Sequence, residues 1–223
     1  MLIGVAAGLA LVAGGAWVLI HTLGEREYLY EGKPLFYWEG VMNSPVAEVS
    51  NHTRVVLETQ AIPRLIDVMF HDSQDSKLRL GLIEQLNNLP GVQIFYVPSE
   101  GRRAQAAGAL GSLGFCAQKA IPDLIKVIQG KDEPVRSAAV SALGQIKGRP
   151  EVVIPLLTTC LSDPQDGVPE AAVESLGAFG ALSRPAWPKL VPLLEVRDKD
   201  MQRALKIALK QIDPDEAAKV GVK

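Results

Sequence analysis

Residues 120–148, AIPDLIKVIQGKDEPVRSAAVSALGQIKG, contain the pattern that decides the fold. In the first half, apolar residues recur at spacings of three and four, which predicts one buried face of an α-helix. These residues are Ile121, Leu124, Ile125 and Ile128. A polar turn follows, and a second helix repeats the spacing through Val135, Ala138, Ala139, Ala142, Leu143 and Ile146. We call the first helix of such a pair an A helix and the second a B helix.

The helix pair recurs along the chain with a period of 33 residues. In the next copy Pro155 takes the place of Pro122, and the B-helix stripe becomes Val168, Ala171, Ala172, Ser175, Leu176 and Phe179. A further copy runs from Trp187 to Ile212, and three glycines align with one another: Gly111, Gly144 and Gly177. A fixed period of this length is typical of a solenoid, in which stacked pairs share a core that no pair can form alone. The sequence therefore predicts an all-α fold, an α-solenoid.

Several of these residues resemble HEAT repeats. Pro122 lies in the first turn of the A helix, Arg136 precedes Ala139 in the B helix, and a Leu-Gly pair follows near the end of that helix. An aspartate also lies near each A–B turn: Asp132, Asp163 and Asp198. The resemblance covers roughly Ala61 to Asp215 and is strongest to the short HEAT-like repeats also found in phycobilin lyases. It implies the fold and leaves the function open, because arrays of this kind serve many tasks.

Residues 1–23 contain no charged side chain, and their length suits a helix that spans a bilayer. We expect a single membrane anchor with apolar side chains at Leu2, Val5, Leu9, Leu11, Trp17 and Leu19. A cleaved signal peptide is the alternative, although no basic segment precedes the apolar run. We expect the rest of the chain on the extracytoplasmic (periplasmic) side, whereas Arg26 and Lys33 after the span favour the opposite orientation. An anchor followed by such repeats is similar to bacterial membrane-anchored HEAT proteins.

Three other segments depart from the repeat. Residues 24–60 are rich in aromatic side chains, and we expect them to cap the first repeat or to lie at the membrane interface. Within this segment Pro34 is predicted to begin a short helix, and a second helix is predicted at 47–58. Inside the array of residues 61–217, residues 90–100 interrupt the period as an extended segment, either a structural filler or a binding loop. Residues 218–223 are predicted to form a frayed tail.

The composition argues against several functional classes. A net charge of −2 provides no basic field for nucleic acid. Cys116 and Cys160 lack metal-binding and redox spacing, so they are either buried thiols or a disulfide. The three histidines are scattered, and the sequence contains no recognisable catalytic, cofactor-binding or metal-binding pattern. We therefore expect a protein that is not an enzyme and that needs no cofactor.

The resemblance to HEAT repeats implies that the B helices line the concave side of the array. The residues expected there, outside the apolar stripe, are Arg103, Arg136, Val140, Ser141, Val173 and Glu174. A groove of this kind suits a peptide or a helix of another protein. The expected function is therefore a membrane-tethered scaffold for protein–protein interaction. Two alternatives remain: a structural subunit of a larger membrane assembly, and an accessory enzyme of the lyase type, which the resemblance implies.

Overall fold

The computed structural model describes residues 29–30, 33–34, 47–72, 81, 83–85, 88, 97–130, 133–165, 167–196 and 198–222. The predicted anchor, most of the aromatic segment and residues 90–96 of the predicted interruption lie outside these described residues. Among the residues that are described, no helix combines the length and the apolar character needed to cross a bilayer.

The first described elements are two short antiparallel strands, β1 (Leu29–Tyr30) and β2 (Lys33–Pro34). The prediction that Pro34 begins a helix is therefore wrong. Pro34 lies on an edge strand, where the missing N–H of proline is tolerated. The helix predicted at 47–58 is confirmed, because α1 spans Ala47–Val56 and a π-helical turn, Leu57–Ala61, continues it.

Successive A and B helices then follow in chain order. The A helix α2 (Ile62–His71) and the B helix α3 (Ser99–Ser112) come first. Three further pairs follow: α4 (Ile121–Ile128) with α5 (Glu133–Ile146), α6 (Pro150–Cys160) with α7 (Val168–Phe179), and α8 (Trp187–Leu190) with α9 (Lys199–Ile212). Segments of 3₁₀ helix precede α4 (Gly114–Ala120), precede α8 (Gly180–Ala186) and extend α8 (Val191–Glu195). The all-α prediction is confirmed for this array.

The apolar stripes predicted from the period form one continuous core. Ile121 and Leu124 of α4 are fully buried, as are Ala139 and Leu143 of α5. The predicted stripe of α7 is buried along its whole length: Val168, Ala171, Ala172, Ser175, Leu176 and Phe179. Each stripe packs against both its own A helix and the neighbouring B helix, which is why the core continues from pair to pair.

Successive B helices meet through a close contact at glycine. A Cβ atom at Gly144 of α5 would lie 2.4 Å from Oγ and 2.7 Å from Cα of Ser175 in α7. Side-chain carbons do not approach other heavy atoms this closely, so only glycine admits α7 at this distance. The buried hydroxyl of Ser175 donates a hydrogen bond of 3.0 Å to the carbonyl oxygen of Val140, so this buried polar group is satisfied. We call the contact between two successive B helices a seam.

The other two seams repeat this geometry. A Cβ atom at Gly111 would lie 2.9 Å from Cα of Ala142, and one at Gly177 would lie 2.9 Å from Cα of Ala208. The three aligned glycines of the sequence are therefore seam residues. The equivalent position of α9 is Lys210, which is exposed. A polar side chain thus stands where a further seam would otherwise form, as expected at the end of an array.

The link from α5 to α6 is shorter than the period predicts. Lys147 and Arg149 adopt positive φ angles of 54° and 50°, which reverse the chain within three residues. Because of this short link, α6 begins at Pro150, and Pro155 lies inside the helix instead of in its first turn. The prediction that Pro155 occupies the position of Pro122 in its helix is therefore wrong.

The C-terminal residues are also more ordered than predicted. Asp213 ends α9 and accepts a hydrogen bond of 3.2 Å from the N–H of Glu216, which lies in the first turn of α10 (Pro214–Lys219). Ala217 and Val222 are buried, and α10 packs against α9. The prediction of a frayed tail at 218–223 is wrong, since these apolar side chains cover the end of the core.

We expect Gly144→Ala to lower the free energy of unfolding by about 2 kcal/mol, because the new methyl group overlaps Ser175 and forces the seam apart. Chemical denaturation followed by circular dichroism measures this difference. Gly108→Ala in α3 is the matched control, since a Cβ atom there meets nothing within 4 Å. The control should be neutral or stabilising by up to about 1 kcal/mol. Equal stability of Gly144→Ala and the wild type would contradict the seam.

Candidate interaction surface

Successive B helices carry side chains at equivalent positions that stay outside the seams and together form one continuous exposed row. Equivalent positions, 33 residues apart, are at least partly exposed on each of the four B helices that the structure describes in full. We call this row the B-helix face, and its residues are Ala104 and Gly108 of α3, Ser137 and Ser141 of α5, Glu170 and Glu174 of α7, and Arg203 and Ile207 of α9. Its side chains are short on α3 and α5, and on α7 and α9 they include charged groups. The face is therefore shallow at one end and bordered by charge at the other.

Two of the six residues predicted to bind a partner, Ser141 and Glu174, lie on this face. Val140 and Val173 do not, because both are 0% exposed. They point into the seams, where the next B helix covers them, so their assignment to a binding groove is wrong. The period indicates the side of a helix that faces its A helix, but it does not indicate which remaining positions the next repeat covers.

Arg136 organises the turns at one end of α5 and α6, away from the B-helix face. Its guanidinium donates hydrogen bonds to the carboxylate of Asp163 and to the side-chain oxygen of Gln165, and its Nε donates to the carbonyl oxygen of Ile128 at 2.9 Å. The Arg136 and Asp163 side chains are only 12% and 11% exposed. The positive charge of Arg136 is therefore neutralised inside the protein and is not offered to a partner, which corrects the sequence-based assignment.

Gln202 of α9 repeats part of this arrangement with a different side chain. It is equivalent to Arg136, and its Nε2 donates a hydrogen bond of 2.7 Å to the carbonyl oxygen of Val196 and a longer one of 3.4 Å to that of Leu194. Leu194 is equivalent to Ile128. In both copies a B-helix side chain therefore satisfies carbonyl groups at the end of the preceding A segment, which have no partner within their own helix.

Arg103 is half-buried, and its neighbour Arg102 carries the polar contact that sequence reasoning missed. Arg102 binds Asp72 through two parallel hydrogen bonds of 2.6 and 2.8 Å, and it donates a third, of 2.6 Å, to the carbonyl oxygen of Val97. This bidentate pair ties α3 to the end of α2. Thirty residues separate the partners, so no local pattern in the sequence pointed to the contact.

The acidic part of the B-helix face is crowded with like charge. Burial raises the pKa of Glu170, and the carboxylates of Glu174, Asp200 and Asp198 raise that pKa further. Asp198 also accepts hydrogen bonds from the N–H groups of Asp200 and Met201, and it thereby caps the N-terminus of α9. The negative potential on this part of the face favours cations.

The described residues offer few groups for chemistry. Among them, no three His, Cys, Asp or Glu side chains are arranged to hold a metal ion. Cys116 and Cys160 are not joined in a disulfide, and Cys160 is buried whereas Cys116 is half-buried. Burial is the main cause that raises the pKa of Cys160, with a further rise from the Asp163 carboxylate and an opposing effect from Arg136. Cys160 is therefore a poor nucleophile in the folded protein.

Comparison with known proteins supports the fold. Residues 92–177 match the family model described as HEAT repeats, which confirms the resemblance for that segment. The chain is similar to the structure of the complex of CpcE and CpcF of phycocyanin lyase from Nostoc sp. PCC7120, with a TM-score of 0.51 and 23% identity over 88% of this chain and 73% of that chain. It is also similar to an engineered protein, with a TM-score of 0.44 and 18% identity over 84% of this chain and 83% of that one.

No curated protein matches the sequence. At 23% identity, the similarity to the lyase complex shows the fold alone. The prediction that this protein is not an enzyme stays a prediction.

We expect Arg136→Ala to lower the free energy of unfolding by about 3 kcal/mol, because it leaves the largely buried carboxylate of Asp163 without its cation. Arg64→Ala is the matched control. The Arg64–Asp67 pair has an N–O distance of 2.7 Å, but its side chains are 48% and 50% exposed. Loss of this surface pair should cost less than about 1 kcal/mol. Urea denaturation of both variants checks the difference, and similar losses would show that the Arg136 network adds no stability.

We expect an alkylating reagent to modify Cys116 in the folded protein and to leave Cys160 unmodified until the protein is unfolded. A raised pKa leaves less thiolate at any given pH, and burial restricts access of the reagent. Mass spectrometry of a Cys116→Ser variant isolates the reaction of Cys160. Rapid modification of that variant without denaturant would show that the region around α6 opens readily.

Proposed function

We propose that this array of HEAT-like helix pairs is a scaffold that binds a peptide or a helix of another protein along the B-helix face. The observation that carries this proposal is that equivalent positions remain at least partly exposed on four successive B helices, while the seams between them are closed. The HEAT repeats over residues 92–177 support a protein partner in general terms, since such repeats commonly bind proteins.

The dimensions of the B-helix face suit a helical or extended segment. Helices in close contact lie roughly 8–9 Å apart, so four B helices extend over about 25 Å, the length of a helix of about 17 residues. On α3 and α5, the floor consists of Ala104, Gly108, Ser137 and Ser141. These short side chains allow a partner backbone to approach closely. The hydroxyl of Ser141 provides a hydrogen-bonding group, whereas that of Ser137 already donates to the carbonyl oxygen of Gly167.

We further propose that residues 1–23 tether the array to a membrane and that the array lies on the extracytoplasmic side. The uncharged segment of 23 residues supports the tether. The compartment of a captured partner tests this orientation. A structural role in a larger membrane assembly would use this anchor as the main contact, in contrast to a scaffold that binds through its repeats.

Photo-crosslinking in intact cells tests the scaffold proposal. A photoreactive amino acid is placed at Ser141 on the B-helix face, and at Thr159 on the exposed side of α6 as the matched control. We expect a protein partner crosslinked through position 141 and not through position 159, and we expect Ser141→Arg to reduce its recovery without lowering the melting temperature. Mass spectrometry identifies the partner, and its compartment shows the side of the membrane.

Other outcomes would redirect the assignment. Equal crosslinking through both positions would reject the B-helix face as the binding surface. Partner recovery that survives Ser141→Arg but is lost when the anchor is replaced by a poly-leucine span would favour the structural subunit. Visible chromophore absorbance in the purified protein, without a protein partner, would favour an accessory role of the lyase type.

A further inference from the structure

The exposed surface of the last two B helices carries opposite charges side by side. Glu170 and Glu174 project from α7, and Arg203 and Lys210 project from α9. Ile207 lies between the two cations and is 50% exposed. Arg203, Ile207 and Lys210 are spaced by four and three residues, so they share one side of α9. The surface therefore consists of an acidic strip next to a basic strip with an apolar side chain at its centre.

These charges are not paired with one another inside the molecule. None of the four charged side chains forms an ion pair with another residue in the part of the chain that the structure describes. Burial is the main cause that raises the pKa of Glu170, and the neighbouring charges that raise that pKa further are the carboxylates of Glu174, Asp200 and Asp198. Each strip therefore keeps its potential for an external charge.

Ile207 is not explained by the fold. Its equivalents on the other B helices are Gly108, Ser141 and Glu174, so the repeat does not require an apolar residue at this position. A helix that only ends the array would be expected to carry a polar residue here, as it does at Lys210. Between its two cations, Ile207 supplies an apolar contact with polar residues around it, which is the arrangement that an interface needs at its centre.

The repeat fixes how a second copy can fit this surface. Glu170 and Arg203 occupy equivalent positions one period apart on helices that pack side by side, so they lie at nearly the same level. A two-fold axis that runs between α7 and α9, parallel to both, places α7 of one copy over α9 of the other. Glu170 of one copy then lies level with Arg203 of the other, Glu174 lies level with Ile207 and within one helical turn of Lys210, and every contact occurs twice.

We propose that two copies of this chain associate through α7 and α9, with Glu170 and Glu174 of each copy facing Arg203 and Lys210 of the other across a two-fold axis. The axis must run parallel to the helices. A two-fold axis perpendicular to them would place α7 of one copy against α7 of the other, so that like charges would meet. This dimer is argued from its own observations and not from the proposed scaffold function. It would cover the α7 and α9 part of the B-helix face and leave the α3 and α5 part open to a partner.

The strength of the association follows from the exposure of the charges. Surface ion pairs are individually weak, so a contact built from a few of them and one apolar residue is reversible and depends on salt. The Debye length falls from about 10 Å at 0.1 M salt to about 3 Å at 1 M, which screens such pairs. We expect association to weaken at least about tenfold between about 0.05 M and about 0.5 M salt.

Sedimentation velocity of the full chain in mild detergent tests the dimer with two charge-reversal variants. The basic variant is Glu170→Lys with Glu174→Lys, and the acidic variant is Arg203→Glu with Lys210→Glu. Each variant alone places like charges across the axis and should associate at least about tenfold more weakly than the wild type. An equimolar mixture of the two should recover dimers, because each variant now supplies the charge that the other lacks.

The matched control is Lys189→Glu, which changes an exposed lysine of α8 outside the surface and should leave association unchanged. Circular dichroism shows that each variant is folded, and recovery in the mixture shows it independently. A wild-type chain that stays monomeric at low salt would overturn the proposal. So would a dimer unaffected by either variant, which would place the contact elsewhere, for example in residues 1–23.

Discussion

The close approach of successive B helices is the constraint on which the rest of the structure depends. At Gly111, Gly144 and Gly177 the next helix lies so near that a Cβ atom would overlap its backbone or its first side-chain atoms. This distance closes the seams and joins the apolar stripes of separate pairs into one core. It also explains which parts of the chain vary. The B helices keep their period of 33 residues, whereas the links between pairs change from seven-residue 3₁₀ segments to the short turn before α6.

A second recurring contact stabilises the turns between A and B helices. In it a B-helix side chain donates to a carbonyl oxygen at the end of the preceding A segment, and the side chain differs from copy to copy. Arg136 donates to the carbonyl oxygen of Ile128, and Gln202 donates to that of the equivalent Leu194. The shared requirement is a donor long enough to reach the carbonyl groups at the end of the preceding A segment. In the copy with arginine, the cation also needs a counter-ion, which Asp163 provides. The polar contacts of the array are thus determined by geometry more than by residue identity.

The helices and the core were predictable because spacings of three and four residues depend only on the pitch of a helix. The binding surface was less predictable, as Val140 and Val173 show. Both lie off the stripe that faces the A helix, yet both are buried by the next repeat. A pattern within one helix cannot report contacts made by another. Arg102 shows the same difficulty, since its partner Asp72 is far away in the sequence. Pro34 and the C-terminal residues were mispredicted because short segments provide too few positions for a period to be recognised.

Lys210 prevents a further helix pair from packing against α9 at the C-terminal end of the array. Interior seams need a residue without a side chain at this position, and a lysine there would hold any added B helix away from α9. A longer version of the protein could therefore not arise by adding a unit after the last one. Duplication would have to copy an interior helix pair and carry α9 and α10 along as the unchanged end. The number of helix pairs can therefore change inside the array, while Lys210 and the covering helix α10 together set its C-terminal boundary.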